Sequence, residues 1–352
     1  MAKIVIKENH IADAYDKGVN VLDLVRKDYE GEIADRVAKD EKLRGFDVFQ
    51  LAMMDAGISK HSKVKDFMTT SENRWLFPVF IDRTLRENVD NNNLLNYIVS
   101  GSPVSISGRT VEGAYLDMVN DAANKDAARK KRVTEGADLP KATIKLGGTA
   151  ISLSKFGRAV EATYETIRYC TIDVFSRTLE YIANDVSGQE FENAVDILIN
   201  GDGNDNAAKV NTAAGSSVAV SDLLTLAMDI YDGCKAPMDT IICPRATFMT
   251  LSQMIISNSS GVGIIPGSMF KFPQGINNDI TVIYSDSIPK AGGKEQLIGL
   301  SSRFGLTKYI AEGSMLREYD KNISSQKEIG TISEEVGFQK AFKDAAKLLK
   351  LN

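Results

Sequence analysis

Apolar and polar positions change their spacing several times along the 352-residue chain, and each change marks a predicted element. The longest ordered pattern lies in residues 140–203. Its first third alternates, with Ile144 and Leu146 on one side and Thr143 and Lys145 on the other; it breaks at Gly147-Gly148 and resumes at Ile151 and Leu153. A period of two predicts an extended, hairpin-like ribbon. From about Thr166 the spacing turns to threes and fours through Ile167, Thr171, Val174, Phe175, Leu179, Ile182, Val186, Ala194, Val195 and Leu198. Arg168, Arg177, Asp185 and Glu192 largely fall elsewhere. This predicts one amphipathic helix ending at Asn200-Gly201, where a left-handed stop is available. About 34 residues at ~1.5 Å each would span about 50 Å, long for a compact domain and suited to a spine. Two helices broken at Gly188 are the alternative.

The flanks carry weaker patterns. Residues 3–7 read as a short strand, and Val21, Leu22, Val25, Tyr29, Ile33 and Val37 as an amphipathic helix that Gly45 ends. Phe46 to Met54 forms a second apolar cluster. Around Pro78 the chain reads Trp75-Leu76-Phe77-Pro78-Val79-Phe80, and proline there predicts an extended apolar arm. Such an arm is costly to expose, so it must lie on this subunit's own core or on a neighbour. Residues 204–217 read as a polar hinge. Beyond it, helix and strand signals alternate: helices at 222–231 and 245–256, strands at 240–243, 280–285 and 297–302, a compact α/β unit of about 100 residues. Val336, Phe338, Phe342, Ala345, Leu348 and Leu349 predict a closing helix.

Composition narrows the function classes. Hydrophobic residues make up 43%, charged residues 25%, and the formal net charge is −5. These values exclude a disordered chain and a surface built wholly to hold nucleic acid. One strongly basic run remains, Arg129, Lys130, Lys131 and Arg132, read as a solvated face or loop, or as a contact for phosphate or for acidic groups of a neighbour. The first ten residues lack the apolar core of a signal peptide, and no stretch of eighteen apolar residues predicts a membrane span. Cys170, Cys234 and Cys243 follow no metal spacing and fit buried thiols in a reducing compartment.

The sequence displays no constellation of groups for catalysis. His10 and His61 are the two histidines, both in the charged front and expected at the surface. Zinc-type His and Cys spacings are absent. The residues Gly201-Asp202-Gly203-Asn204-Asp205 resemble half a calcium loop but lack the glutamate at the twelfth position, so they read as a helix-terminating turn. Glu161 and Glu165 sit four apart, as expected for a solvated helix edge or an intersubunit salt bridge more than for an acid–base pair. Neither a catalytic residue nor a cofactor or metal site is expected.

The order of parts resembles a known family, the major capsid proteins of tailed bacteriophages with the Hong Kong 97 phage fold. The resemblance covers roughly residues 72–352. It rests on GRAVEATYETIRY at 157–169 leading to ILINGDG at 197–203, on DTIICPRATFMTLSQM at 239–254, and on the closing GTISEEVGFQKAFKDAAKLLKLN. It implies an α+β capsid fold with an N-terminal arm at 72–116, an extended loop at 117–160, a peripheral domain with the spine helix at 161–211 and 311–352, and an axial domain at 212–310. Residues 1–71 form a helical extension, either retained or a scaffold-like segment removed on maturation; retention is the expectation. Where many relatives have an Asp-Pro step, the tail reads Phe342-Lys343-Asp344-Ala345.

The function implied is a structural one, without enzyme activity: pentamers and hexamers of this chain closing an icosahedral shell around double-stranded DNA bound without sequence specificity. It would assemble in the host cytoplasm and become the virion capsid, with portal, scaffold or decoration proteins as further partners and no membrane. An encapsulin-type shell around enzyme cargo is the first alternative, and a soluble α+β enzyme the second. The expected assembly residues are Trp75 and Phe77 in the arm, the basic run 129–132, and Lys141 and Lys145 in the loop, where some relatives crosslink a lysine.

Overall fold

The computed structural model describes the chain except residues 1–2, 18, 71–72, 92–93, 117–134, 136–143, 258–275, 313–315 and 323–325. It divides into two compact units. The first comprises Met1–Asn93, Lys155–Gln189 and Glu312–Glu335; the second comprises Leu94–Ser154, Glu190–Ala311 and Val336–Asn352.

In the first unit the front folds into helices α1 (Glu8–Lys17), α2 (Val21–Asp28), α3 (Glu30–Lys39) and α4 (Val48–Asp55). The single helix expected from Val21 onward is two, because Tyr29 sits at φ −111°, ψ 18° and closes one while opening the other. Gly45 ends a separate 3-10 turn, Glu41–Gly45. Residues 3–7 are not a strand. Ile4 and Ile6 are buried, and the Ile4 amide donates to the Asp55 carboxylate at 2.7 Å instead of to a ladder. That carboxylate also takes both guanidinium ends of Arg36 at 2.7 and 3.0 Å, so the extended start is pinned to α3 and α4.

The stretch expected as an extended arm is helix α5 (Leu76–Asn91). Pro78 is its third residue, where the amide proline lacks would have no partner within the helix anyway. Phe77 is only 1% exposed, with its ring 6.0 Å from Phe67 and 5.8 Å from Phe175. Phe80 stacks on Phe67 at 5.5 Å and faces Phe49 at 6.3 Å. The apolar strip is therefore satisfied inside its own unit, and residues of the front belong to the same core.

Strands β1 (Val104–Ile106), β2 (Thr110–Val111), β3 (Ala114–Leu116), β4 (Ile144–Leu146) and β5 (Ile151–Ser152) follow in the second unit, then β6 (Ser154–Thr163). The predicted spine is α6 (Tyr164–Tyr169) and α7 (Ile172–Asn200), interrupted at Cys170-Thr171 rather than at Gly188. The break is fixed by pairing: Val64 donates to the Cys170 carbonyl, and Ile172 to that of Ser62. A Cβ on Gly188 would meet nothing within 4 Å, and the helix runs through it. At 29 residues, α7 extends about 43 Å. Glu161 lies on β6, not on a helix, and pairs with Lys327.

The residues expected as a hinge include β7 (Lys209–Thr212), the edge of a five-stranded sheet in the second unit. The rest of the alternation holds: α8 (Val220–Cys234), β8 (Met238–Cys243), α9 (Arg245–Ser257), β9 (Ile276–Tyr284), β10 (Gln296–Leu300) and β11 (Thr307–Ala311). Then come β12 (Leu316–Asn322), β13 (Lys327–Gln339) and β14 (Ala346–Lys350). The sheet order is β7-β14-β10-β8-β9, and Leu223, Leu226 and Ile230 of α8 share its core with Ile241, Leu297 and Leu349. The closing segment is thus strand, not helix. β14 is interior, with β7 parallel on one side and β10 antiparallel on the other, and a strand covered on both faces has an apolar run that spacing alone confuses with a helix.

Candidate assembly site

The alternation in residues 144–153 is one arm of an antiparallel ribbon whose other arm is 109–116. Ala114, Tyr115 and Leu116 face Leu146, Lys145 and Ile144, and Thr110 and Val111 face Ser152 and Ile151. Gly147 donates to the Gly113 carbonyl at 2.9 Å and Leu153 to that of Arg109 at 3.0 Å. Successive side chains of a strand point to opposite faces, so Ile144 and Leu146 share one face. They are 71% and 67% exposed. Lys145, also exposed, lies on the other face. Arg129, Lys130, Lys131, Arg132 and Lys141 lie outside the described residues. Trp75 is half-buried against the core of the first unit, with the Arg74 guanidinium 5.4 Å from its ring. Phe77, buried in that core, is not available to a neighbour.

The foot of the ribbon rests on the turn after α7. Gly201 and Gly203 take φ of 81° and 90°, a left-handed backbone that glycine adopts without strain. The turn aims Asp202 inward. One carboxylate oxygen accepts from the Tyr115 hydroxyl at 2.7 Å and the Lys340 amide at 2.9 Å. The other accepts from the Asn206 side chain at 2.7 Å and from the side chain and amide of Asn204 at 3.1 and 3.3 Å. Asn204 reaches the opposite arm: it accepts from the Thr149 amide at 3.0 Å and donates to the Thr149 carbonyl at 3.1 Å and to Tyr115 at 3.0 Å. These oxygens, which resembled calcium ligands in the sequence, are engaged in internal hydrogen bonds.

Lys340 completes the cluster. It is 1% exposed, and its ammonium donates to the Leu198 carbonyl at the end of α7 at 2.7 Å. Burial pulls its pKa down to about 8, against the opposing pull of Asp202 and Asp344. Burial, then Asp202, pushes the Tyr115 hydroxyl well above its ordinary range, and the same two causes raise Tyr309. Tyr309 donates to Gln339, which donates to the Ala114 carbonyl of the ribbon. Tyr115, Asn206 and Lys340 escaped the sequence reading; the visible signal was a lysine inside the otherwise apolar stretch around Phe338 and Phe342.

Elsewhere in the second unit, Glu190 of α7 and Lys308 of β11 form a buried ion pair at 2.9 Å, with side chains 2% and 8% exposed. Among the described residues, no group of three or more His, Cys, Asp or Glu side chains is placed to hold a metal ion, and no helix is long and apolar enough to cross a membrane. His10, expected at the surface, is buried: its ring accepts from the Lys7 amide and pairs with Asp28 at 3.1 Å. The three cysteines carry free thiols, and burial pushes that of Cys243 up to about 12.

Residues 148–316 match the family model of the phage capsid protein. The chain carries a phage capsid protein domain. The capsid domain starts at the returning arm of the ribbon and includes α7, the 201–206 turn and most of the five-stranded sheet. No curated protein matches the chain. Among solved structures, a phage-related protein from Bordetella bronchiseptica is similar at 13% identity, over 76% of this chain and 94% of that one, with a TM-score of 0.49. The holo-encapsulin complex of Synechococcus elongatus is similar at 12% identity, over 74% and 86%, with a TM-score of 0.48. The satellite phage P4 procapsid is similar at 14% identity, over 77% and 99%, with a TM-score of 0.45.

Proposed function

We propose that the protein is the major capsid protein of a tailed bacteriophage, which self-assembles into the icosahedral head shell and encloses double-stranded DNA. The capsid domain at 148–316 is the observation that carries this reading. The ribbon supports it: two large apolar side chains held out on a two-stranded arm are stabilised by about 1.5–3 kcal/mol each when a neighbouring surface covers them. Many such modest contacts, repeated by symmetry, close a shell. Pentamers and hexamers of the chain are its own principal partners, portal, scaffold or decoration proteins are further ones, and the role is structural rather than enzymatic. On this reading residues 161–211 and 311–352 are the peripheral domain, 212–310 the axial domain and 117–160 the extended loop, with assembly in the host cytoplasm. Residues 1–71 stay with the mature subunit, because Phe49 and Phe67 share a core with Phe77 and Phe175.

Negative-stain microscopy of the purified protein, with nucleic-acid extraction and intact mass of the particles, tests this. Closed shells tens of nanometres wide, made of full-length subunits and filled with DNA in infected cells, are expected. A stable small oligomer would overturn the reading, shells loaded only with an enzyme would favour a nanocompartment, and subunits lacking the first 71 residues would overturn retention.

A further inference from the structure

The 201–206 turn touches both arms of the ribbon. A two-stranded ribbon is at best marginally stable alone in water, so the contacts at its foot decide how firmly it is held. Asp202 takes the hydroxyl of Tyr115 on β3, and Asn204 brackets Thr149 in the connection between β4 and β5. Thr149 adds a hydrogen bond to the Gly203 carbonyl at 3.2 Å. The far side of the turn is tied to the buried core: Asn206, 4% exposed, donates to the Lys340 carbonyl at 2.7 Å, and Lys340 holds the end of α7. The fit is close. A Cβ on Gly147 would lie 2.6 Å from the Tyr115 ring and 2.7 Å from the Asn204 carboxamide, distances that force one of them away.

We propose that Asp202, Asn204 and Tyr115 form a latch that clamps the foot of the ribbon and sets the direction in which it leaves the subunit. They are positioning residues: they act through the ribbon, whose exposed Ile144 and Leu146 make the contact with a second copy. Resting on the shell reading above, the inference adds that assembly depends on the latch being closed. Asp202, Lys340, Tyr115 and Tyr309 are the titratable groups of the cluster, with Asp205, Lys343 and Asp344 beside it.

Hydrogen exchange of the full-length protein, read with shell yield, tests the latch. Asn204→Asp places a second carboxylate beside Asp202 and removes the amide donors. Gly147→Ala wedges the latch without altering a polar group. Both variants are expected to lose at least tenfold in protection over 109–116 and 144–153 at pH 7.5, with protection of β8 and β10 unchanged. For Asn204→Asp, protection should return near pH 5, where the added carboxyl regains a proton to donate to Asp202, whereas Gly147→Ala and wild type should show no such recovery. Shell yield should fall in step. Unchanged ribbon protection, or equal loosening of β8 and β10, would overturn the latch; a loosened ribbon with full shell yield would overturn its role in assembly. A wild type that forms no shells would defeat the shell reading, and the exchange data would still decide whether the latch exists.

Discussion

Lys340 offers the most demanding test of the physical account of this cluster. Its ammonium is almost completely buried, with a pKa near 8 in the folded chain against 10.5 for an ordinary lysine. A group whose folded pKa is depressed stabilises the fold above its unfolded pKa, and this contribution is lost as pH falls through the folded value. Between pH 8 and 10.5 the unfolded chain therefore holds a proton that the folded chain has released, and folding becomes more favourable as pH rises. One pH unit corresponds to about 1.4 kcal/mol, so the full window is worth about 3 kcal/mol, and the part from pH 8 to 9.5 about 2 kcal/mol. Other raised groups limit the usable range. Cys243, raised from 9 to about 12, stays protonated when folded and removes stability above pH 9, the raised Cys234 acts in the same direction, and the raised Tyr115, Tyr309 and Tyr284 do so above pH 10. Comparison with Lys340→Met cancels the contributions of these thiols and phenols. The assay is urea unfolding of unassembled subunits from pH 7 to 9.5 for both proteins. Wild type should gain about 2 kcal/mol on the variant across that range. Parallel curves would show that burial does not dominate the environment of Lys340, and the reasoning would fail.

The remaining predictions concern the cores and the ribbon. Glu190→Ala leaves the Lys308 ammonium buried without its carboxylate and should cost about 3–5 kcal/mol in subunit stability by denaturant titration. Glu190→Leu combined with Lys308→Met should recover most of that loss, because two well-packed apolar side chains replace a desolvated pair. Phe77→Ala should cost about 3–5 kcal/mol in the same assay and lower soluble yield before any effect on shells is measurable; a variant that folds normally yet fails to assemble would return Phe77 to the intersubunit surface. Ile144→Ser with Leu146→Ser should leave the melting temperature of the subunit within a few degrees of wild type while reducing shell yield, as both side chains are exposed. Unchanged yield, by light scattering or microscopy, would remove the ribbon face from the assembly contact.

What the sequence determined by itself were the features whose cause is local. The period of two through Ile144 and Leu146, the helical spacing from about Thr166 to Leu198, and the helix and strand alternation from α8 to β10 are properties of neighbouring residues, and the protein folds them as read except that the helix breaks at Cys170-Thr171. The helix stop at Asn200-Gly201 was equally legible, since a left-handed backbone favours glycine. Tertiary structure decided everything that depends on partners distant in the chain. Pro78 was compatible with an extended arm or with the first turn of a helix, and the aromatic cluster of Phe67, Phe77 and Phe175 is satisfied by the helix. The closing apolar run was compatible with helix or interior strand until β7 and β10 flanked it. Asp202 read as a turn residue because its two decisive partners, Tyr115 and Lys340, lie 87 and 138 residues away. A hydrogen bond across such a separation leaves no periodic trace in the chain, because it is created only when two stretches with separate local reasons for their shape are brought together by the burial of their apolar faces.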